Sequence, residues 1–305
     1  MPWTQAGASL ALVAVYAVPY LRRARTLRRR GQRVPGWRFA CFGAGLVLLA
    51  AAVSPPVGTV AQERLSAHMV EHLALGDLAP LLLVLGLTRS LIAPVLQLPG
   101  MWRVRGLAHP VLALVLWAGN LYLWHLRVAY EAAVDHELVH VLQHVCFFAA
   151  GANLWFALLG PLPKPEWFGN GPRLAYVLAA WVAGMMLANG FIWATTPFYP
   201  HYAQTAAAAG RSAAGDQGAA GAAMLVEQSI VTLALLGWLL ARALRDAGLR
   251  EELAELAAAH GAVVDRRRIA RAVASEQHDA LARRLSTASA SPPPDMPRTA
   301  APPAG

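Results

Sequence analysis

Seven apolar stretches, each close to the ~20 residues that carry a helix across ~30 Å of hydrocarbon, divide this 305-residue chain. They run over approximately 3–21, 37–54, 67–87, 109–127, 138–160, 173–193 and 221–243. In hydrocarbon the backbone must satisfy its own hydrogen bonds, so only helices or closed barrels cross. Uniformly apolar stretches of this length, without the alternation of a barrel strand, predict helices. The expected fold is all-α, a polytopic membrane bundle of about seven transmembrane helices.

The basic residues orient it. One set of connections carries Arg22, Arg23, Arg25, Arg28, Arg29, Arg30, Arg33 and Arg38, then Arg89, Arg103 and Arg105, then Lys164 and Arg173, then the tail from Arg242 onward. The alternate connections carry only Arg64, Arg127 and Arg211. Basic loops stay in the cytoplasm, which places the N-terminus outside and the C-terminus inside. The first apolar run has no basic region before it and arginines after it, so it reads as a retained span and not a cleaved leader. The formal charge of +9 belongs to these loops, and it does not indicate a nucleic-acid partner. The sequence predicts three regions: a spanning domain over 1–245, a cytoplasmic helical tail over 246–285 with Leu249, Leu253 and Leu256 at helical spacing, and a disordered Pro/Ala-rich terminus over 286–305. The Ala/Gly-rich connection over 203–220 reads as a mobile outer loop. Cys41 and Cys146 lie in different spans, form no Cys-x-x-Cys pair, and read as small packed side chains.

On this topology seven of the ten histidines fall at the outer face: His68, His72, His125, His136, His140, His144 and His201. Residues four apart share a helix face, so His68 with His72, and His140 with His144, each aim at one point. Both spans start outside, which puts the two pairs at similar depth. Single histidines at an interface often only hydrogen-bond between helices. Four converging from two spans suggest a metal or cofactor site, with His125 and His136 as supporting groups or proton carriers. Imidazole suits several transition metals, and a thioether favours Cu(I); Met69, between the first two histidines, inclines the reading to copper. His201 reads as a loop residue, and His109, His260 and His278 fall on the cytoplasmic side.

Acids within lipid are costly and point to a task. Asp77 sits mid-span in Gly76-Asp77-Leu78-Ala79-Pro80, where Pro80 removes a backbone donor and is expected to kink the helix around a polar pocket. Glu71 adjoins His72, Glu227 lies in the last span, and Asp216 precedes that span outside. Each reads as a supporting polar group or as a structural interhelical hydrogen bond; Asp77 and Glu227 also suit compensation of a bound cation.

His68-Met69-x-x-His72 followed by Asp77, Ala79-Pro80 and Gly86 resembles the multi-span CtaG family of cytochrome c oxidase assembly factors. His109-Pro110, Trp124-His125 with Tyr130, and His140-x-x-x-His144 leading to Gly151 and Trp155 continue the likeness. So do Pro197-x-Tyr199 with Tyr202, Asp216-Gln217 and Met224, over about residues 35–245 in all. Three positions depart from the family pattern: Glu71 where glutamine is frequent, Arg127 where proline follows Trp-His, and Leu225 where tryptophan follows the late methionine. The resemblance implies a multi-pass protein of the bacterial plasma (inner) membrane that is not an enzyme. Its partners would be membrane lipid and the subunits of a haem-copper oxidase, to which it would supply copper.

The residues alone leave other readings open. Facing histidines also suit a b-type haem electron carrier, and the Gly-Asp-Pro region suits a broken helix in a copper transporter. A retinal protein is excluded, because the only lysine, Lys164, lies in a loop.

Overall fold

A computed structural model describes residues 2–100, 106–162, 164–260, 264–274 and 278–288. Among these the chain is helical and forms no strand. It divides into two compact units, Met1–Leu235 and Leu236–Gly305.

The first unit opens with α1 (Pro2–Arg29), α2 (Gly36–Ala52) and α3 (Pro55–Glu63). A 21-residue span, Leu65–Leu85, follows; it comprises α4 (Leu65–Leu73), a π-helical turn (Ala74–Leu78) and α5 (Ala79–Leu85). Next come α6 (Arg89–Leu96), α7 (Pro110–His125), α8 (Arg127–Asp135), α9 (Glu137–Leu159) and α10 (Asn170–Trp193). α11 (Pro200–Ala208) and α12 (Ala213–Ala259) complete the series. Prolines supply several starts: Pro55, Pro110 and Pro200 stand in the first turns of α3, α7 and α11, where the missing N–H has no helical partner anyway. Extended backbone at Arg64 and Leu126 ends one helix and begins the next.

Four described helices are long and apolar enough to cross a membrane: Leu65–Leu85, α9, α10 and α12. The pairs α2/α3 and α7/α8, bent by 54° and 70°, bring the number to six when each pair counts as one span. Their outward faces are aliphatic, with Val47 71%, Val115 60%, Met186 63% and Leu233 68% exposed. Such faces suit lipid contact. The connection over 203–220, expected as a mobile loop, is largely helical: its alanines favour helix, and only the turn around Gly210 (φ +63°) interrupts it.

Pro80 produces no break. The π-helical turn just before it widens the helix by one residue and absorbs the proline within a continuous span. α9 packs on α7, on that turn and on α5. The tightest approach is at Gly151, where a Cβ would collide with the carbonyl oxygen of Gly76. At the end expected to be cytoplasmic, Arg38 donates to the carbonyls of Leu85 and Leu87, Arg23 to that of Ser90 (3.1 Å), and the Tyr20 hydroxyl to that of Gly86 (3.2 Å). The last carbonyls of a span, which have no helical partner, are thereby satisfied.

The second unit contains the end of α12, then α13 (Arg266–Ala274) and α14 (His278–Ala288). Leu253, Ala257, Ile269, Val273, Leu281 and Leu285 bury together, so the leucine spacing seen in the tail serves a small apolar core. Helix α14 runs to Ala288; the rest of the terminus expected to be disordered lies outside the described residues.

Candidate metal centre

The site begins with the start of α4. Arg64 is extended (φ −137°, ψ 124°), so the first N–H groups of α4 need outside acceptors. Asp216, in the first turn of α12, provides one: Oδ2 accepts from Leu65 N (2.7 Å), while Oδ1 accepts from the Ser66 hydroxyl (2.5 Å). A carboxylate there also complements the positive end of the helix. One turn later stand His68 and His72, both buried.

α9 runs parallel to this span. His68 faces His140 and His72 faces His144, each pair with ring centroids 5.5 Å apart, and Gly76 lies against Phe147 and Gly151 further along. Parallel neighbours start at the same face, and the glycine contact lets them run close enough for four imidazoles to meet. Ligand atoms of His68, His72 and His140 lie within 4.8 Å of one another. A second group, Glu71, His140 and His144, meets the same limit. His68 Nε2 and His72 Nε2 are 2.9 Å apart. Nitrogens bound to one ion at ~2.0–2.1 Å stand about 3 Å apart, so this spacing fits ligation.

The tautomer of His68 follows from its other nitrogen. The Tyr202 hydroxyl donates to the carbonyl of Ala61 (2.8 Å) and therefore accepts from His68 Nδ1–H, also at 2.8 Å. Burial raises the Tyr202 phenol above its ordinary value, which keeps the hydroxyl protonated as a donor. With Nδ1 carrying the hydrogen, His68 presents a bare Nε2 to the cluster, as a ligating histidine must. Tyr202 belongs to α11, which also closes the end of α3: His201 Nε2 and the Thr205 hydroxyl bond to the carbonyls of Gln62 and Glu63, at 2.9 and 3.3 Å. His201, expected in a loop, thus sits in the first turn of a helix and serves a capping role.

Several buried polar atoms in and around the cluster have no hydrogen-bond partner: Glu71 Oε2, His72 Nδ1, His140 Nε2 and His144 Nε2, with His125 Nε2 beside them. Buried polar groups are almost always paired, so such a concentration fits a site built for a ligand. Glu71 Oε1 is 3.7 Å from His144 Nε2, too far for a hydrogen bond and suited to two ligands of one ion.

The remaining expected residues distribute as follows. His125 donates Nδ1–H to the Leu121 carbonyl (2.7 Å), and its ring sits among Tyr130, Phe147 and Phe191, outside both ligand groups. His136 is exposed at the N-terminal cap of α9, apart from the cluster. Met69 packs into the apolar core with Leu65, Tyr130, Tyr202 and Met224. Asp77 lies deeper, accepting from Trp155 Nε1 at 2.6 Å and neighbouring Glu227. It lines a cavity of about 20 Å³ with Gln228, Trp117 and Trp181, enough for about one water. Sequence reasoning missed Tyr202 as the partner of His68; only its place in the Pro197-x-Tyr199-x-x-Tyr202 segment marked it. It also missed Gln143, which is buried with an unpartnered amide next to His144.

The chain is 28% identical to uncharacterized proteins of Mycobacterium bovis and Mycobacterium tuberculosis over 181 residues, 54% of this chain and 27% of each relative. It is 26% identical to an uncharacterized protein of Mycobacterium leprae over 208 residues, 63% of this chain and 29% of the relative. The chain thus spans less than a third of the length of these curated relatives. No solved structure matches it. The family model described as cytochrome c oxidase caa3 assembly factor matches residues 18–246, which take in every helix of the histidine cluster. The chain therefore belongs to the caa3-type cytochrome c oxidase assembly factor family, Caa3_CtaG.

Proposed function

We propose that this protein is a seven-span, N-terminus-out assembly factor that binds copper in its outer-face histidine cluster and passes it to a haem-copper oxidase subunit. Copper is its cargo, and its role is carriage, not catalysis. The observation that carries the reading is the approach of His68, His72 and His140 to within 4.8 Å, with Glu71 and His144 alongside. Imidazole nitrogens suit copper, and the Tyr202 bond leaves His68 Nε2 free to ligate. His125 supports the cluster from its aromatic wall, and Asp216 holds the start of α4. Asp77 and Glu227 belong to a separate polar site deeper in the bundle.

The number of converging ligands favours an ion over a haem. A haem iron takes protein ligands only at its two axial positions, whereas His68, His72 and His140 bring three ligand atoms within 4.8 Å of one another.

The test is metal analysis and optical spectroscopy on detergent-purified protein, wild type beside a His72→Ala, His144→Ala double variant. The expected result is about one copper per wild-type chain, lost in a variant that stays membrane-inserted and monodisperse. Equal copper in both proteins, or a Soret band, would overturn the reading.

A further inference from the structure

His140 belongs to both ligand groups, and this points beyond a single binding position. We propose that the cluster holds copper at two overlapping positions that share His140: an enclosed one formed by His68, His72 and His140, and a more open one formed by Glu71, His140 and His144. An ion passes between them by ligand exchange. This rests on the copper-binding reading above and adds an internal route to it.

The geometry separates the two positions. In the first group two of the three residues are buried, and His68 and His72 place their Nε2 atoms 2.9 Å apart. In the second group only Glu71 is buried, and His140 and His144 are partly exposed. The His140 and His144 rings are 4.2 Å apart, centroid to centroid, while each lies 5.5 Å from its partner on α4. An ion held by His140 thus has two ligand pairs within reach, His68 with His72 and Glu71 with His144. Glu71 Oε2, His140 Nε2 and His144 Nε2 lack hydrogen-bond partners, so no protein bond has to break for the second position to form.

The chemistry gives the step a direction. The enclosed position offers three neutral imidazoles and leaves the ion's charge uncompensated in an apolar setting. The open position adds a carboxylate, which offsets one charge. Exchange keeps the His140 bond, releases His68 and His72, and engages His144 and Glu71. No electron is transferred and no covalent bond changes. The ion arrives at the more accessible half of the cluster still bound to protein, where an acceptor's ligands can replace His144 and Glu71. Because both positions need His140, one copper is bound at a time.

The test compares wild type, Glu71→Gln, His68→Ala and His140→Ala as full-length protein in detergent, each checked for monodispersity and helical content. Each is loaded with Cu(II) and examined by electron paramagnetic resonance, then chased with a chelator to measure release. Glu71→Gln keeps the residue's shape, so it separates the carboxylate's role from any folding defect. Wild type, Glu71→Gln and His68→Ala are each expected to hold about one copper. Glu71→Gln gives an all-nitrogen signal and releases copper at least roughly tenfold more slowly, the scale on which single groups at metal sites act. His68→Ala gives the mixed nitrogen–oxygen signal of the open position, and His140→Ala binds at neither. If Glu71→Gln matches wild type in both signal and release, copper has a single position and the two-position route is overturned, while the copper-binding reading stands. If wild type binds no copper, both fail together.

Discussion

Replacing Tyr202 with phenylalanine removes one buried oxygen and separates two consequences. The hydroxyl holds the Ala61 carbonyl and the His68 ring, each at 2.8 Å, and Tyr202 is only 4% exposed. Its loss leaves a buried acceptor and a buried Nδ1–H unpaired, at a cost to stability of about 1–3 kcal/mol. It also frees His68 to move its hydrogen to Nε2, the nitrogen aimed at the cluster. Loss of such an orienting bond lowers metal affinity by about 10–100-fold, or roughly 1.4–2.8 kcal/mol of binding. A competition titration against a chromophoric copper chelator, made in the Glu71→Gln background that confines copper to the His68, His72 and His140 position, measures the affinity, and thermal unfolding in the same detergent measures the stability. Tyr199→Phe is the control: its hydroxyl caps the carbonyl of His125 (2.9 Å) and its ring stacks on Tyr130, but it does not bond His68. It should lose stability and keep copper affinity. Unchanged affinity in Tyr202→Phe, beside a fall in stability, would refute the argument that this phenol sets the tautomer of His68.

Three other outcomes are expected. Gly151→Ala forces α9 away from the Gly76 carbonyl and should cost about 1–3 kcal/mol of stability, whereas Gly119→Ala, with nothing within 4 Å of the added Cβ, should be neutral or better by thermal unfolding. Asp216→Ala removes both acceptors at the start of α4, should cost about 0.5–2 kcal/mol, and should speed hydrogen exchange at the Leu65 amide; unaltered exchange there would contradict the capping role. In a variant lacking Cys41 and Cys146, a cysteine at Val128 should react with an impermeant maleimide from outside the cell and one at Arg29 only after lysis; the reverse pattern would invert the proposed sidedness.

Much of the fold was legible because a bilayer imposes a simple rule. Residues 67–87, 138–160 and 173–193 had to be helical once they were apolar and long enough, and Leu65–Leu85, Glu137–Leu159 and Asn170–Trp193 match them within a few residues. Spacing by four put His68 with His72, and His140 with His144, on common helix faces. Their similar depth followed from both spans starting at one face. Local spacing also foretold an apolar seam in the tail around Leu253.

Packing decided the rest. The rotation that turns one histidine pair toward the other depends on where two helices touch, and the contact of Gly151 with Gly76 sets that from about one to three turns away from the histidines. No local pattern showed that Glu71 would join His140 and His144, or that His136 would stand outside the cluster. Pro80 suggested a kink, but the helix absorbed it in a π-helical turn, because parallel packing against α9 favours an unbroken span. Tyr202 is 134 residues from His68 in sequence, and Asp216 about 150 from the turn it caps. The order of residues determined which helices form and which side chains each helix face carries. Only the tertiary contacts decided which faces meet, because the groups at helix ends and buried imidazole nitrogens must find partners wherever the folded chain brings them.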